Sequence, residues 1–363
     1  MPHVVPLIDD LTPDQEEIQY LPIESRNMII GGPGSGKTSL AIHRTKHIKE
    51  DDPSANVSTF LFTNALNDFF SDGINNQNIN SEVETWAKWQ RNFLDNRGEW
   101  KWSINEPVPW RELSSIIMEH SINHEFDHLI LDEAQDFSTD DLELMSQLAE
   151  NLTVFADPNQ RLFEHGVGDP EIIAEILLID DDDMYHLKDN HRNTKEIIRT
   201  AQSFAPEEVE VDIDTVINHG NKPKIYELAS FAEEVDLIKT TIENNKERDI
   251  GILHMENKVL INLCNKLEEV IDGSIQIELV KRGNFDFSNH SPKLCTLDSV
   301  KGLEFDIVIM PLMDSDCYWT NERNRRRIYV GMTRPKKELM FSYSGGLPTE
   351  YIGMIDQNTV DFC

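Results

Sequence analysis

The amino-acid sequence predicts an α/β protein of two domains, each a parallel β-sheet flanked by helices. Short apolar segments typical of buried strands alternate with helix-like segments along almost the whole chain. The 363 residues are enough for two such domains, each with its own hydrophobic core. A run of aspartates at 180–183 is typical of a solvated turn, and it divides the chain into domains at 1–183 and 184–363.

The predicted elements follow this alternation in chain order. In the first domain the expected strands are 27–31, 57–63, 127–131 and 152–156, and the expected helices are 38–49, 82–94 and 140–151. In the second domain the expected strands are 224–228, 249–253, 275–280, 294–297, 305–311 and 338–343. We expect right-handed crossovers between the parallel strands of each sheet.

The charge of the chain restricts its partners. There are 66 acidic residues against 33 basic ones, which gives a formal net charge of −33. This total opposes nucleic-acid binding, because that affinity comes largely from Lys and Arg neutralising phosphates. A locally basic groove could still bind nucleic acid in spite of the negative total charge, since salt screens exposed charges beyond about 8 Å. The acidic surface fits high solubility as well as docking of a protein partner.

Neither a membrane segment nor a secretory signal is expected. No apolar run reaches membrane-spanning length, and the N-terminus lacks a basic-then-apolar pattern, so we expect a soluble cytoplasmic protein without a membrane partner. The four cysteines show no paired spacing, which argues against a zinc site or a disulfide framework. They are Cys264, Cys295, Cys317 and Cys363.

The stretch MIIGGPGSGKTSL, from Met28 to Leu40, predicts a phosphate-binding loop between a strand and a helix. Its glycines let backbone N–H groups converge on phosphate oxygens, and the following helix adds the positive end of its dipole. Lys37 is expected to reach the β- and γ-phosphates, and the Thr38 hydroxyl suits Mg²⁺. The expected nucleotide-binding residues here are Gly32, Pro33, Gly34, Ser35, Gly36, Lys37, Thr38 and Ser39.

A second motif, DEAQD at 132–136, directly follows the apolar run HLIL. A carboxylate at the carboxyl end of a strand can bind Mg²⁺ beside a phosphate loop, and its neighbour can orient and deprotonate water. Asp132 is therefore assigned to the metal and Glu133 to the water. An acidic surface turn is the alternative, but the upstream phosphate loop disfavours it.

The DEAQD motif resembles that of the UvrD/Rep-like superfamily 1 DNA helicases, and other motifs of that family follow in order. The resemblance implies two RecA-like P-loop NTPase domains that bind ATP and Mg²⁺ in an interdomain cleft and move on single-stranded nucleic acid, with DNA expected. It implies adenine recognition by Gln15 and γ-phosphate sensing by Gln160. It also implies that Phe62, Thr63 and Asn64 contact the single-stranded nucleic acid.

In the second domain the resemblance rests on NHR at 190–192, on TLDSVKGLEF at 296–305 and on RRRIYVGMTR at 325–334. It implies that Arg192 and Arg334 act on the γ-phosphate as catalytic arginines. Glu304 is expected near the ribose, and Thr296 near the nucleic acid.

The departures from the family pattern lie mainly on the nucleic-acid side. Asp298 occupies the position of a family histidine, and His191 that of a tyrosine; residues 161–165 also differ. The intervals between motifs are short, so the large inserted subdomains of the family are expected to be absent. The second domain is expected to have none, and the first only a short Trp-rich insertion at about 72–125.

That insertion contains five of the six tryptophans, with basic residues interleaved. Nucleic-acid bases could stack on such rings, with Trp100 and Trp102 as the candidates. Tryptophans also fill small hydrophobic cores, and this interpretation stays open beside the first. The residues concerned are Trp86, Trp89, Trp100, Trp102 and Trp110, with Lys88, Arg91, Arg97, Lys101 and Arg111.

The leading functional prediction is an ATP-hydrolysing helicase or translocase. The alternative is an ATP-operated switch subunit of a defence or repair complex, whose acidic surface docks a nuclease or another partner and which does not unwind duplexes alone. A non-enzymatic scaffold is disfavoured, because the predicted catalytic residues are all present: Lys37, Glu133, Gln160, Arg192 and Arg334.

Overall fold

The computed structural model describes residues 11–103, 108–120, 122, 124–158, 165–205, 212–273, 275–279, 289–314, 321–344 and 350–363. Helices and parallel strands alternate within these ranges, which confirms the predicted α/β class. The chain divides into two compact units. The first holds the described residues up to Lys188 except Pro33–Ser35, and the second holds Pro33–Ser35 and the described residues from Asp189 onward.

The first unit is built on a single parallel sheet with the strand order β3-β2-β4-β5-β1-β6. Strands β1 and β4 lie on either side of β5, and because all three are parallel their carboxyl ends lie at the same edge of the sheet. The elements are α1 (Pro13–Gln19), β1 (Arg26–Gly31), α2 (Lys37–Asp51), β2 (Val57–Leu61), α3 (Asn64–Asn76), β3 (Glu82–Thr85), α4 (Trp86–Asn96), α5 (Trp110–Met118), β4 (Phe126–Leu131), α6 (Thr139–Leu148), β5 (Ala149–Ala156), α7 (Pro170–Leu177) and β6 (Met184–Leu187).

The core of the first unit covers both faces of this sheet. Leu129, Ile130 and Leu131 are successive residues of β4, and all three are fully buried. Continuous burial of this kind is typical of parallel strands with helices on both faces. Each such side chain contributes about 1.5–3 kcal/mol to stability by leaving water.

The start of the predicted helix at 82–94 is wrong, because residues 82–85 form strand β3 beside β2. The hydroxyl of Thr85 accepts a hydrogen bond from the backbone N–H of Lys88, and it caps α4 at Trp86. The indole rings of Trp86 and Trp89 stack 4.9 Å apart in the same buried cluster as β4. These two tryptophans therefore belong to the main core of the first unit.

The first compact unit extends beyond the predicted boundary after Asp183. Residues 181–183 form a 3₁₀ turn with no buried residue, and Met184–Leu187 then pairs as β6 with β1. Strand β6 has few buried side chains, so it gives only a weak apolar pattern in the sequence. The first unit consequently continues to Lys188.

The second unit is built on a seven-stranded parallel sheet with the order β11-β12-β10-β13-β14-β9-β15 and on a separate β7-β8 pair. Its elements are β7 (Asn190–Thr194), α8 (Lys195–Ala201), β8 (Val216–Asn218), β9 (Lys224–Leu228), α9 (Phe231–Asn244), β10 (Ile250–His254), α10 (Asn257–Val270), β11 (Glu278–Leu279), β12 (Lys293–Thr296), β13 (Phe305–Met310), α11 (Glu322–Met332), β14 (Pro335–Ser344), α12 (Glu350–Met354) and β15 (Asp361–Phe362).

The inner strands of the second sheet lie where the sequence predicts them. Strand β9 has the predicted bounds, and β13 ends one residue before its predicted end. Strands β10 and β12 are each displaced by one residue at both ends. The predicted strand at 275–280 is wrong over most of its described length, since only Glu278–Leu279 pairs with β12. Both residues of this outer strand are only partly buried, and the local apolar pattern predicts a longer strand than the one that forms.

No helix in the part of the chain that the structure describes is long and apolar enough to span a membrane.

Candidate active site

The predicted phosphate loop connects β1 to α2 in the described structure. Gly34 and Gly36 adopt left-handed φ values of 76° and 91°, which side chains with a Cβ rarely tolerate. A Cβ on Gly36 would also lie 2.7 Å from Nε2 of Gln15. Glycine at position 36 thus satisfies both the backbone geometry and a close approach. Helix α2 begins at Lys37, and its first backbone N–H groups provide an anion-binding end.

The Lys37 side chain is buried against this loop. Its ammonium donates hydrogen bonds to the carbonyl oxygens of Gly31 at 2.7 Å and Gly32 at 3.0 Å. It also lies 3.4 Å from Oδ2 of Asp157, the residue that follows β5. These contacts hold a positive charge at the carboxyl edge of the sheet, next to the loop predicted to bind phosphate.

Thr38 and Asp132 meet at the same edge. The Thr38 hydroxyl donates a 2.7 Å hydrogen bond to Oδ2 of Asp132, which is fully buried at the end of β4. Burial, and then the charge of Glu133, raise the pKa of Asp132 to about 6, against the opposing effects of Thr38 and Lys37. A hydroxyl beside a buried carboxylate is a suitable donor set for Mg²⁺, which prefers oxygen ligands.

Glu133 lies beside Asp132 with an unusual backbone. Its φ of 60° is in the left-handed region, although it is not a glycine, and it is buried. Its Oε2 accepts a 2.6 Å hydrogen bond from the side-chain amide of Gln135. The other end of that amide, Oε1, accepts the backbone N–H of Asp157 at 2.9 Å. Sequence reasoning assigned no role to Gln135; its only sequence signal is its position within DEAQD.

Gln15 is brought to the loop by α1. Thr12 and Gln15 form a capping box, in which the Thr12 hydroxyl accepts from Gln15 N and Gln15 Oε1 accepts from Thr12 N. The buried guanidinium of Arg44, on α2, donates to the carbonyl oxygens of Gln19, Leu21 and Pro22. Arg44 therefore anchors the connection after α1 to α2, and the helix that carries Gln15 is fixed beside the phosphate loop.

The structure brings together the side chains of Gln15, Lys37, Thr38, Asp132 and Glu133 in the first unit. Gln160 lies outside the described residues. The remaining predicted nucleotide ligands belong to the second unit. There, Nε of Arg192 donates to Oε2 of Glu304 at 2.6 Å.

Arg334 is buried within the second unit. Its guanidinium donates to the carbonyl oxygens of Val330 at 2.9 Å and Leu303 at 3.3 Å, and to the hydroxyl of Thr333 at 3.2 Å. Asn193 donates to the carbonyl oxygens of Thr333 and Pro335, on either side of it. In this arrangement the proposed arginine finger is bound to its own unit.

The residues predicted to bind nucleic acid in the first unit form two groups. Phe62 is partly buried with its ring 5.5 Å from that of Phe137, and Thr63 caps α3 through the N–H of Leu66. Asn64, the first residue of α3, is exposed.

The second group consists of Trp100 and Trp102, whose partly buried rings lie 5.1 Å apart. The guanidinium of Arg91 lies 5.3 Å above the Trp100 ring. Both tryptophans pack against the main core while retaining exposed surface. They thus differ from Trp86 and Trp89, which are buried.

In the second unit, two predicted nucleic-acid motif residues have internal partners. The hydroxyls of Thr296, the last residue of β12, and Ser299 lie 2.8 Å apart. Asp298, which replaces the histidine of the family pattern, accepts a 2.6 Å hydrogen bond from Arg327. The acid therefore neutralises a cation of α11.

Comparison with known families accounts for most of the chain. The model of the AAA domain matches residues 15–165, and the model of the UvrD-like helicase C-terminal domain matches 185–290 and 284–346. The two matches follow each other in the order of the two units. The chain belongs to the UvrD/Rep-like helicase family.

Two curated relatives of this family share parts of the sequence. ATP-dependent DNA helicase Rep of Buchnera aphidicola subsp. Schizaphis graminum is 31% identical over 139 residues, which cover 36% of this chain and 18% of Rep. Gabija protein GajB of Bacillus cereus VD045 is 32% identical over 103 residues, which cover 26% of this chain and 20% of GajB. Each match thus spans a fifth or less of the relative.

One solved structure also matches, namely the C-terminal domain of a possible DNA helicase from Lactobacillus plantarum WCFS1. It covers 47% of this chain and 98% of that domain, at 18% identity and a TM-score of 0.39. At this score the likeness adds nothing to the family assignment, which rests on the sequence matches.

Proposed function

We propose that this helicase-like chain hydrolyses ATP and uses the reaction to move on single-stranded nucleic acid, with DNA as the first candidate. The observation that best supports hydrolysis is the contact between Thr38 and Asp132, with Lys37 and Glu133 at the same sheet edge. This combination of a phosphate loop, a metal-binding pair and a water-orienting carboxylate fits phosphoryl transfer to water.

In the proposed complex, the loop residues Gly32–Ser39 bind the phosphates of ATP through backbone N–H groups, and Lys37 neutralises the β- and γ-phosphates. Gln15 recognises adenine, a role supported by its buried position beside Gly36. Glu304 lies near the ribose. Each of these residues occupies the position that has the same role in the motifs of the family.

Thr38 and Asp132 would hold Mg²⁺, and their 2.7 Å contact supports a shared oxygen-ligand position. Bound there, the ion would neutralise negative charge on the phosphate oxygens. The charge of a nearby cation would also favour the ionised form of Asp132, whose burial opposes ionisation in the protein alone.

Glu133 is proposed as the general base. As the water oxygen bonds to the γ-phosphorus, the bond from phosphorus to the β–γ bridging oxygen breaks, and the water proton passes to Glu133. ADP and phosphate leave. Gln160 senses the γ-phosphate, and Arg192 and Arg334 stabilise the charge on its oxygens. For this role Arg334 must exchange its present carbonyl partners for phosphate.

The nucleic-acid strand is proposed to contact Phe62, Thr63 and Asn64 in the first unit and Thr296 in the second. The half-buried rings of Trp100 and Trp102, with Arg91 above one of them, support an additional stacking position.

The test is the steady-state ATPase rate with and without single-stranded DNA or RNA, measured across a salt series because phosphate contacts weaken with salt. We expect stimulation by single strands at low salt. Lys37→Ala should abolish ATP binding, whereas Glu133→Gln should bind ATP and lose about 10²–10⁴-fold in kcat. Equal hydrolysis with and without every nucleic acid would contradict the motor function and leave the ATPase function standing.

A second function is favoured by the charge distribution. The chain carries a formal charge of −33, and Asp298 neutralises Arg327 next to a predicted nucleic-acid motif. We infer as the alternative an ATP-operated switch subunit that docks a basic nuclease or repair protein through its acidic surface. ATP-dependent binding of such a partner, without strand separation at low salt, would favour this function; processive unwinding by the isolated chain would exclude it.

A further inference from the structure

We propose that Gln135 is a positioning residue that aligns Glu133 for hydrolysis and joins it to Asp157. The inference rests on the proposed ATP hydrolysis and adds a residue to that mechanism. Gln135 does not itself touch the reacting atoms in this proposal; it acts through Glu133.

The side-chain amide of Gln135 has no choice of orientation. Its Nε2 donates to Oε2 of Glu133 at 2.6 Å, and its Oε1 accepts from the backbone N–H of Asp157 at 2.9 Å. An ionised carboxylate only accepts, and a backbone N–H only donates. Reversing the amide would oppose two acceptors on one side and two donors on the other. Both ends of the fully buried amide are therefore fixed by chemistry.

The backbone of Gln135 is fixed as well. Its carbonyl oxygen accepts from the N–H of Gly168 at 3.2 Å. Gly166 packs so closely that a Cβ there would lie 2.3 Å from the same oxygen. The main chain of Gln135 thus cannot shift without displacing residues 166–168. Through its hydrogen bond to Oε2 of Glu133, the side chain of Gln135 restrains the carboxylate of Glu133 as well.

Glu133 needs such a restraint. Its left-handed φ costs a non-glycine residue roughly 1–2 kcal/mol, so the surrounding structure must maintain it. A base must also lie within hydrogen-bond reach of the attacking water, and a misplacement of about 1 Å can cost about 100-fold in rate. The 2.6 Å contact with Gln135 fixes one carboxylate oxygen, so the orientation of the carboxylate follows from Gln135.

Gln135→Met tests the proposal, because methionine keeps the length of the side chain and removes both hydrogen bonds. Gln90→Met is the matched control: Gln90 is also a buried glutamine of the first unit, and its amide donates to Ser114 at 2.7 Å. Both variants lose a buried amide contact, so their melting temperatures should fall to a similar extent. Only Gln135→Met should change the chemistry.

We expect Gln135→Met to lower kcat about 10- to 100-fold at an unchanged Kd for ATP, whereas Gln90→Met keeps the wild-type kcat. Backbone amide exchange at Asp157 should be faster in Gln135→Met alone, a result that does not depend on hydrolysis. Adding Gln135→Met to Glu133→Gln should cause no further loss of kcat, because both changes act on one group.

An unchanged kcat in Gln135→Met, an equal loss in Gln90→Met, or a further loss in the double variant would each overturn the positioning role. Unchanged exchange at Asp157 would overturn the connection to that residue. If the wild-type protein hydrolyses no ATP, the proposed function itself fails and this role fails with it. A failure confined to Gln135→Met leaves the proposed function intact.

Discussion

Arg192 and Glu304 form an ion pair within the second unit, with Nε of the arginine 2.6 Å from Oε2 of the glutamate. The other carboxylate oxygen, Oε1, lies 2.6 Å from Nζ of Lys336. The glutamate therefore orients the guanidinium through Nε. Among the residues that the structure describes, the two terminal nitrogens of Arg192 make no hydrogen bond. In the proposed mechanism these two nitrogens would donate hydrogen bonds to the γ-phosphate oxygens.

Arg192→Ala should lower kcat about 10³-fold or more, as expected for a charge that stabilises the transferring phosphoryl group. The fold should remain, because Lys336 still neutralises Glu304 and a partly exposed pair contributes about 1 kcal/mol or less. The measurements are kcat and the melting temperature. Lys336→Ala removes the other cation that contacts Glu304 and should retain hydrolysis. An equal loss of kcat in Lys336→Ala would show that the loss in Arg192→Ala comes from disturbing Glu304.

Thr38→Val should raise the Mg²⁺ concentration for half-maximal hydrolysis by about 10- to 100-fold, because the change removes an oxygen ligand. Thr38→Ser keeps the hydroxyl and should restore the wild-type value. Thr45→Val is the control, since Thr45 is a buried threonine of the same helix that donates only within it, to the carbonyl oxygen of Ala41. A shared Mg²⁺ shift in both valine variants would contradict the metal assignment.

Glu234→Gln should stabilise the second unit more at about pH 8 than at about pH 5. Burial chiefly raises the pKa of Glu234 to about 7, with the charge of Asp314 acting in the same direction and the Ser342 hydroxyl acting against it. The folded state therefore binds more protons than the unfolded chain, where the pKa is 4.5, and stability falls as pH rises through this window.

Between about pH 5 and pH 8 the free energy of unfolding of the wild type should fall by on the order of 3 kcal/mol. Glu234→Gln should remove this pH dependence of stability. Denaturant unfolding at the two pH values measures it. Glu247→Gln makes the same charge change at an exposed position and provides the comparison. Parallel pH profiles for the wild type and Glu234→Gln would show that Glu234 does not hold a proton in the folded state.

Trp100→Ala with Trp102→Ala should weaken single-strand binding, by about 1–3 kcal/mol for each base that loses its stacking partner, without unfolding the protein. Trp89→Ala should instead cost about 3–5 kcal/mol of stability, because Trp89 is buried in the main core. Fluorescence anisotropy with labelled single strands and thermal melting separate the two effects. Unfolding of the double variant would assign Trp100 and Trp102 to the core as well.

Asp298→Asn should tighten single-strand binding at low salt, because it releases Arg327 from its carboxylate partner. The gain should shrink as salt rises, which a salt titration of Kd would detect. Asp306→Asn carries the same charge change in the same unit and removes the partner of Lys337 instead. Equal gains in both variants would indicate a general effect of net charge.

The sequence predicts the parts of the site that depend on local patterns. Lys37, Thr38, Asp132 and Glu133 follow apolar strands at motif spacing, and parallel strands bring their carboxyl ends to one edge. Gln135 could not be assigned in this way, because its contact with Asp157 depends on where β5 ends relative to β4. The burial of Arg334 likewise depends on carbonyl oxygens supplied by the end of α11 and by Leu303.

The differences at strand and domain boundaries also arise from pairings between distant parts of the chain. Strand β3 is a short outer strand beside β2, and its residues are predicted as part of the helix at 82–94. Strand β6 joins the first sheet by pairing with β1, which lies more than 150 residues earlier in the chain. Pairings at such sequence distance leave little local signal. Thr85 and Ser138 cap α4 and α6, and the predicted helix starts at 82 and 140 do not use this local signal.

The position of β1 also governs the order in which the protein can fold during synthesis. Residues 26–31 leave the ribosome before their two sheet neighbours, which are made only with residues 149–156 and 184–187. Until then the apolar strand that carries the nucleotide loop has two open edges, and such edges favour aggregation. A first unit cut after Asp183 would keep one of these edges open, whereas a cut after Lys188 would close it.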